Sequence, residues 1–461
     1  MQSMTIKEIN NAVKGTLYIN SKEHNINIKG ISIDSRTLTK GDLYIPIKGE
    51  NFDGHDFIEH AIKNGALACL TENEENIREN INIILVNNTL KALHDLALYY
   101  RKKFDIPFIA ITGSSGKTTT KDMLASVLEQ KYNVLKTQGN FNNEIGLPLT
   151  LFQLEDQHEM AIIEMGMSNL GEIKRLVNMV FPDIAVITNV GLTHIENLGS
   201  QENIFNAKKE ILDTLKKGQL ALLNGDDKYL NTIKDDKFKV ALVGIEGTYL
   251  DLKAKDIIRK ENNINFTIEN ENKKIEEYHL NLPGIHNIYN SLFAIYIGKY
   301  FALNYKEIQV GLNKFKPSKM RMDISENGKI KIINDAYNAN PDSMKAALNA
   351  LKDSGSNRRK IAILGDMLEM GKWAEEAHFN IGKILTELKI DILLSVGKNA
   401  QFYVNGAVSN GLLKDNAKSF KSNDEAIQYL NSIIRDGDVL LIKGSRGMKM
   451  EEIAIFLQER C

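Results

Sequence analysis

The stretch Phe108-Ile109-Ala110-Ile111-Thr112-Gly113-Ser114-Ser115-Gly116-Lys117-Thr118-Thr119-Thr120 decides how this chain folds. Four successive apolar residues without alternation predict a strand buried on both faces, as in a parallel sheet. The run passes through two glycines into a helical pattern from Lys117 to Gln130. Strand, glycine-bounded turn, Lys-Thr and helix, in that order, make a phosphate loop. Gly113, Ser114, Ser115 and Gly116 let backbone N–H groups face phosphate oxygens, and the helix N-terminus beyond, at Thr119, adds partial positive charge. Lys117 supplies a point charge for the β- and γ-phosphates of a nucleotide such as ATP, and Thr118 a hydroxyl for Mg²⁺. The full pattern has glycine where this chain has Ile111, so the loop is the shorter form, Gly113 to Thr118. A Gly/Ser turn with an incidental lysine would explain neither the strand before it nor the helix after it.

Around this loop the rhythm repeats. Leu90 to Lys103 predicts a helix. Met160–Glu164, Ile184–Thr188 and Leu220–Leu223 predict strands, with helical patterns at 171–178 and 201–216 between them. Apolar strands alternating with helices predict βαβ units and a parallel sheet. Tyr249 to Leu282 alternates polar and apolar residues and predicts a β-hairpin insertion, and His286 to Leu303 returns to helix. Residues 1–86 hold short apolar runs, Leu43–Ile47, Ala66–Leu70 and Ile83–Val86, with an amphipathic stretch Phe57–Asn64, a small α/β unit. Lys316-Pro317-Ser318 reads as a linker. After it come Ile330–Asn334, Ile361–Gly365, Ile392–Val396 and Val439–Lys443, each followed by a helical pattern. This third part is Rossmann-like but lacks any G-x-G-x-x-G, which argues against a nicotinamide cofactor. The expected division is 1–86, 87–315 and 316–461, matching the roughly three domains that 461 residues imply.

Composition narrows the class. Hydrophobic residues at 43% and charged residues at 25% are average for globular chains and exclude general disorder. Lys+Arg 58 against Asp+Glu 59 leaves −1, which argues against an electrostatically driven nucleic-acid binder. Cys69 and Cys461 are too few for a disulfide framework or a cysteine zinc site. The opening Met1-Gln2-Ser3-Met4-Thr5 has no apolar core of a secretory leader. Ile288 to Leu303 contains Asn290 and Lys299 and is too short and polar to span a bilayer. The expectation is a cytoplasmic, monomeric, multi-domain enzyme with no membrane insertion.

Two further residues fall where ligands bind parallel sheets, at the carboxyl ends of strands. Glu164 closes one strand and could hold Mg²⁺. His194 follows the next, in Asn189-Val190-Gly191-Leu192-Thr193-His194. Singly, each reads as a solvated or structural residue; on the phosphate-loop edge they read as functional.

At these residues the chain resembles the Mur ligases, ATP-dependent amino-acid-adding enzymes of peptidoglycan synthesis. Thr112-Gly113-Ser114-Ser115-Gly116-Lys117-Thr118-Thr119 is similar to their ATP loop. Gly139-Asn140-Phe141-Asn142-Asn143-Glu144 is similar to a substrate-facing loop, His194-Ile195-Glu196 and Ala207-Lys208-Lys209-Glu210 to the metal and carbamoyl-lysine region, and Gly284-Ile285-His286-Asn287-Ile288-Tyr289-Asn290 to the adenine-binding helix start. The resemblance covers essentially the whole chain. Asn334-Asp335-Ala336-Tyr337-Asn338-Ala339-Asn340-Pro341, Leu364-Gly365-Asp366-Met367-Leu368-Glu369, and Asp34-Ser35-Arg36 with Asp53-Gly54-His55 point to the D-alanyl-D-alanine-adding branch. The Asp-Asn-Pro-Arg signature of the diamino-acid-adding branch is absent.

The resemblance implies ligation of D-Ala-D-Ala to UDP-MurNAc-tripeptide through an acyl phosphate, with ATP and Mg²⁺. Lys117 and the loop amides would hold phosphates. Thr118 and Glu164 would bind one Mg²⁺, His194 a second, and Lys208, carrying CO₂ as a carbamate, would serve the metal. Without the family match, Lys208 reads as an exposed helix lysine paired with a glutamate. Asn287 and Asn290 would read adenine, with Asn287 also a possible cap; Arg321 would reach the phosphates and Asp335 the ribose. Ser35, Arg36, Asp53 and His55 would hold the UDP end; Asn142, Asn143, Tyr337, Asn338 and Asp366 complete the substrate set, with Asp366 and Glu369 placed nearest the incoming ammonium. The alternatives are another ligase of this type (a diamino-acid-adding enzyme or folylpolyglutamate synthase), a phosphate-loop switch or motor, and a noncatalytic sugar-nucleotide-binding homologue.

Overall fold

Asn88 Oδ1 accepts the N–H of Lys91 at 2.7 Å and starts the helix Thr89–Arg101, which buries Ala92, Leu93, Leu96, Ala97 and Tyr100 on one face. Spacing of that kind builds most of the helices in the structure, a computed structural model that describes residues 1–19, 26–78, 82–261, 263–269, 273–326, 328–355 and 357–459. Cys461 lies outside the described residues, and Cys69 is a buried free thiol. Contacts divide the chain into two compact units. The first is Met1–Ala110, Tyr132–Met167 and Gly171–Ile184; the second is Ile111–Lys131, Ser168–Leu170 and Ala185–Cys461.

The first unit carries a five-stranded sheet in the order Thr16–Tyr18, Ile83–Leu85, Ala68–Thr71, Asp42–Tyr44, Gly30–Ser32, parallel except for its first pair. In the same unit Val134–Lys136 pairs in parallel with Met160–Glu164, whose five residues are all buried. The Phe57–Asn64 stretch forms a 3₁₀ turn, Gly54–Phe57, and then the helix Ile58–Lys63.

In the second unit the helix Lys117–Leu128 packs against His286–Tyr300, a helix buried almost all round. Leu220–Asn224 pairs in parallel with Lys239–Gly244. The Tyr249–Leu282 segment is not a hairpin. It forms three antiparallel strands, Leu252–Arg259, Ile264–Glu269 and Ile275–Leu280, and the first continues the sheet in parallel from Lys239–Gly244. The helix starting at Gln201 ends at Lys209 and tightens into a 3₁₀ turn, Glu210–Leu212. Ile211, Leu212 and Leu215 stay buried across that change, so the apolar pattern reads straight through it.

The remaining sheet of the second unit has six strands in the order Asp323–Glu326, Lys331–Asn334, Val439–Lys443, Lys360–Gly365, Ile392–Val396, Ala417–Phe420. All pairs are parallel but the first. Its core sets Ile332, Ile361, Ile363, Leu440 and Ile442 against Leu430, Ile453 and Leu457. Truncating one such side chain to alanine costs about 2–5 kcal/mol. Both edge strands escape the sequence reading because they are short and half-exposed, with no apolar run. No helix among the described residues is long and apolar enough to cross a membrane.

Candidate active site

The phosphate loop is held open by two glycines. Gly113 has φ +153° and Gly116 φ +79°; a Cβ on Gly113 would lie 1.8 Å from Thr188 Oγ1, and one on Gly116 2.7 Å from Asn290 Oδ1. Only glycine accommodates both the backbone and the neighbour. The loop following Ile184–Ile187 clasps it. Ser114 N–H donates to Asn189 C=O (3.1 Å) and Ser115 N–H to Asn189 Oδ1 (2.9 Å). Thr188 Oγ1 donates to Ser115 C=O (2.6 Å), and Gly191 N–H to Ser114 Oγ (2.8 Å). Lys117 Nζ donates to Gly113 C=O at 2.7 Å, folding the ammonium back over the loop. Thr118 is buried in the first turn of the helix, and Thr119 follows it.

Lys208 is 2% exposed, in the last turn of its helix. The reading as a surface lysine paired with a glutamate is therefore excluded. Among the described residues its ammonium has no ion pair. Burial first, and then the charge of Lys117, push it well below the ordinary lysine range. A buried amine that gives up its proton more readily is a better nucleophile toward CO₂, and the carbamate so formed, with release of a proton, would be an anion. His194 stands at φ +61° just before the short helix Ile195–Leu198. Its Nδ1 lies 2.5 Å from Glu369 Oε2, so the Glu369 carboxylate faces this imidazole. Among the described residues no three His, Cys, Asp or Glu side chains converge as a metal cluster. A fit to Mg²⁺ therefore turns on the Thr118 hydroxyl, His194 and a carbamate on Lys208, a hard-oxygen set plus one imidazole.

Asn287 and Asn290 are buried and engaged with protein. Asn287 Nδ2 donates to Pro283 C=O (2.8 Å), Asn290 Nδ2 to Asn287 Oδ1 (3.2 Å), and Thr120 Oγ1 to Asn290 Oδ1 (3.1 Å). Asn287 is not a cap: Ile285 precedes the helix without a side-chain bond. The pair braces the phosphate loop through Gly116 and Thr120.

The six-stranded part of the unit brings its own residues. Asp335 Oδ2 takes Lys443 Nζ at 2.5 Å, and its Oδ1 the Met322 N–H at 3.0 Å. Lys443 also donates to Asn338 C=O at 2.9 Å. Buried Lys443 was not anticipated; its Lys-Gly-Ser-Arg run after an apolar strand was the signal available. His286 feels both Asp335 and Lys443, and burial brings its imidazole down to about 4. The Arg321 guanidinium stacks 3.9 Å over the Tyr337 ring. Asp366 is buried and accepts the Asn399 N–H at 3.1 Å on both oxygens.

In the first unit Glu164, 1% exposed, accepts Asn142 Nδ2 at 2.8 Å. Asn143 Oδ1 accepts the N–H groups of Ile145 and Gly146. Asn143 also lines a cleft of about 740 Å³ with Lys29, Asp34, Thr37, Asn140 and Phe141. Arg36 extends into solvent beside that cleft residue Asp34, which it pairs at 2.7 Å, bringing the Asp34 carboxyl to about 2. Ser35 Oγ meets His60 Nδ1 at 2.9 Å. Asp53 and His55 pair with each other at 2.6 Å and are not among the cleft-lining residues.

Comparison with known proteins adds the following. Residues 27–108 match the model described as Mur ligase family, catalytic domain; residues 111–298 match Mur ligase middle domain; residues 320–446 match Mur ligase, glutamate ligase domain. The Bacillus subtilis UDP-N-acetylmuramoyl-tripeptide–D-alanyl-D-alanine ligase is 40% identical over 456 residues, 98% of each chain. The crystal structure of MurF from Acinetobacter baumannii superposes with TM-score 0.91 at 29% identity, covering 100% of this chain and 99% of that one. The Thermotoga maritima MurF ligase in complex with ADP superposes with TM-score 0.83 at 28% identity, covering 94% and 99%.

Proposed function

The chain belongs to the Mur ligase family, and on that premise we propose how its residues carry out the family's chemistry. It is an ATP-dependent amide-bond-forming ligase that adds D-Ala-D-Ala to UDP-MurNAc-tripeptide in peptidoglycan precursor synthesis. The observation that carries this assignment is the relationship to the D-alanyl-D-alanine-adding enzymes along 98% of the chain.

Hydroxide is a poor leaving group, so the tripeptide carboxylate must be activated before an amine can attack it. A carboxylate oxygen attacks the γ-phosphorus and ADP departs, leaving an acyl phosphate. The D-Ala-D-Ala amine then adds to the carbonyl carbon and loses a proton, and phosphate leaves with its bridging oxygen. Positioning and charge compensation supply the catalysis. Lys117 and the amides of Gly113 to Thr119 hold the β- and γ-phosphates. Lys208, whose pKa burial pulls down, would take up CO₂ and release a proton; its carbamate and His194 would serve one Mg²⁺, and Thr118 and, in the first unit, Glu164 are the other proposed metal ligands. When bound, the metal would offset the negative charge that otherwise keeps carboxylate and γ-phosphate apart. Asn287, Asn290, Arg321 and Asp335 serve the nucleotide; Asn142, Asn143, Tyr337, Asn338 and Asp366 serve the peptide substrates; Ser35, Arg36, Asp53 and His55 serve the UDP end. Nucleotide-linked substrates of this kind suit a cytoplasmic location.

The acyl phosphate has an isotopic signature. With ¹⁸O in the tripeptide's terminal carboxylate, one labelled oxygen appears in the released phosphate. Unlabelled phosphate formed alongside pentapeptide would overturn the mechanism.

A further inference from the structure

The contact between His194 and Glu369 is not used by the chemistry above. Glu369 lies in the loop after the strand Lys360–Gly365, and His194 in the loop after Ile184–Ile187. Nδ1 and Oε2 lie 2.5 Å apart, close enough for a charge-assisted hydrogen bond once donor and acceptor align, and the buried Nδ1 has no other partner among the described residues. A second bond fixes the same junction: Glu196 N–H donates to Glu369 C=O at 3.2 Å. Both backbones are left-handed, each with φ +61°. Non-glycine residues hold that conformation where their surroundings over-determine it, often at functional sites. The His194 side chain is 17% exposed and that of Glu369 52%.

A neutral imidazole has one N–H and one lone pair, and the hydrogen bond made by one nitrogen decides the role of the other. A carboxylate that accepts from Nδ1–H leaves Nε2 to bind a cation. Carboxylates behind metal-bound histidines do this, fixing ring plane and tautomer. We propose that Glu369 is a positioning residue for the ligation: it accepts the Nδ1 proton of His194 and so presents Nε2 to the divalent cation. Glu369 sits on the six-stranded sheet and His194 on the phosphate-loop side of the same unit, so the ligand is set where those parts meet. This rests on His194 being a metal ligand.

The test uses the full chain, labelled with ¹⁵N-histidine and free of metal. There are nine histidines, and His194→Gln assigns the relevant ring by its loss. Wild type should show His194 protonated on Nδ1 and bare on Nε2. Glu369→Gln, whose amide oxygen still accepts, should keep that pattern; Glu369→Ala should shift the ring toward the solution mixture, in which both tautomers exchange. Thermal unfolding confirms that both variants fold. Mn²⁺ binding by electron paramagnetic resonance, with a nonhydrolysable ATP analogue present, should weaken about 10–100-fold in Glu369→Ala. An unchanged His194 tautomer in Glu369→Ala would overturn the proposal even if His194→Gln loses Mn²⁺. Unchanged Mn²⁺ binding in His194→Gln would remove the ligand assignment and the proposal with it.

Discussion

Asn340 Nδ2 donates to Thr193 Oγ1 at 2.7 Å, and its Oδ1 accepts the N–H of Ser343 at 2.8 Å. One side chain thus caps the helix Pro341–Asp353 and ties it to the loop that clasps the phosphate loop; Thr193 Oγ1 donates onward to Ser114 C=O at 3.2 Å. The two roles separate by substitution. Asn340→Ala should lose the cap, about 1 kcal/mol of stability. Asn340→Asp keeps an acceptor for the cap but has no N–H for Thr193. A lost hydrogen bond of about 0.5–1.5 kcal/mol predicts a fall in kcat/KM of roughly 2- to 10-fold in both variants. Steady-state kinetics beside thermal melts would show it, and an Asn340→Asp enzyme with wild-type kcat/KM would refute the link.

Lys117→Ala should leave the fold intact, since the side chain packs in no core and contacts the loop carbonyl of Gly113. Loss of one preorganised charge typically costs ~2.7–4 kcal/mol of barrier, on the order of 10²–10³ in rate. Wild-type turnover with normal ATP affinity would contradict the phosphate-loop assignment.

Lys208→Ala should be nearly inactive and regain part of its rate with a short carboxylate such as acetate, which can occupy the space of the carbamate. Mass spectrometry under CO₂ should find the added mass on wild type and not on the variant. An active Lys208→Ala enzyme would sink the modification.

His286 gives a pH signature. Burial lowers its imidazole from 6.5 to about 4. Between those values the unfolded chain binds the proton and the folded one does not, so stability rises with pH across that window. It is complete above pH 6.5 and falls as the pH drops toward 4, by at most about 3 kcal/mol. His286→Gln should flatten that part of the stability profile in urea titrations at pH 4.5, 5.5 and 6.5. An identical slope would mean that His286 titrates as an exposed imidazole.

Much of this was legible in the chain. Unbroken apolar runs such as Phe108–Ile111 and Val439–Leu441 announce buried parallel strands, because both faces need apolar residues. The loop at Gly113–Thr118 is local, and its function follows from consecutive residues. A half-exposed edge strand such as Ala417–Phe420 carries too few apolar positions to separate from a loop, whereas Lys239–Gly244 contains the apolar run Val240–Val243 and was legible but passed over. Long-range pairings were illegible for a different reason: nothing near Glu369 in sequence says that its carboxylate meets His194, so the ammonium of the dipeptide was the expected partner. Lys208 is the instructive intermediate. Helical spacing placed it, but only tertiary packing makes it a buried amine next to Lys117 rather than a solvated one.

The substrate pair is the central claim, and ADP release with mass analysis of the product tests it most directly. Purified enzyme with Mg²⁺ and ATP is offered UDP-MurNAc-tripeptide with D-Ala-D-Ala, L-lysine or meso-diaminopimelate, and UDP-MurNAc-dipeptide with the two diamino acids. The account predicts rapid ADP release and UDP-MurNAc-pentapeptide with D-Ala-D-Ala and tripeptide, and little with the other pairs. Faster turnover of the dipeptide with a free diamino acid would contradict it and place the chain at the preceding addition.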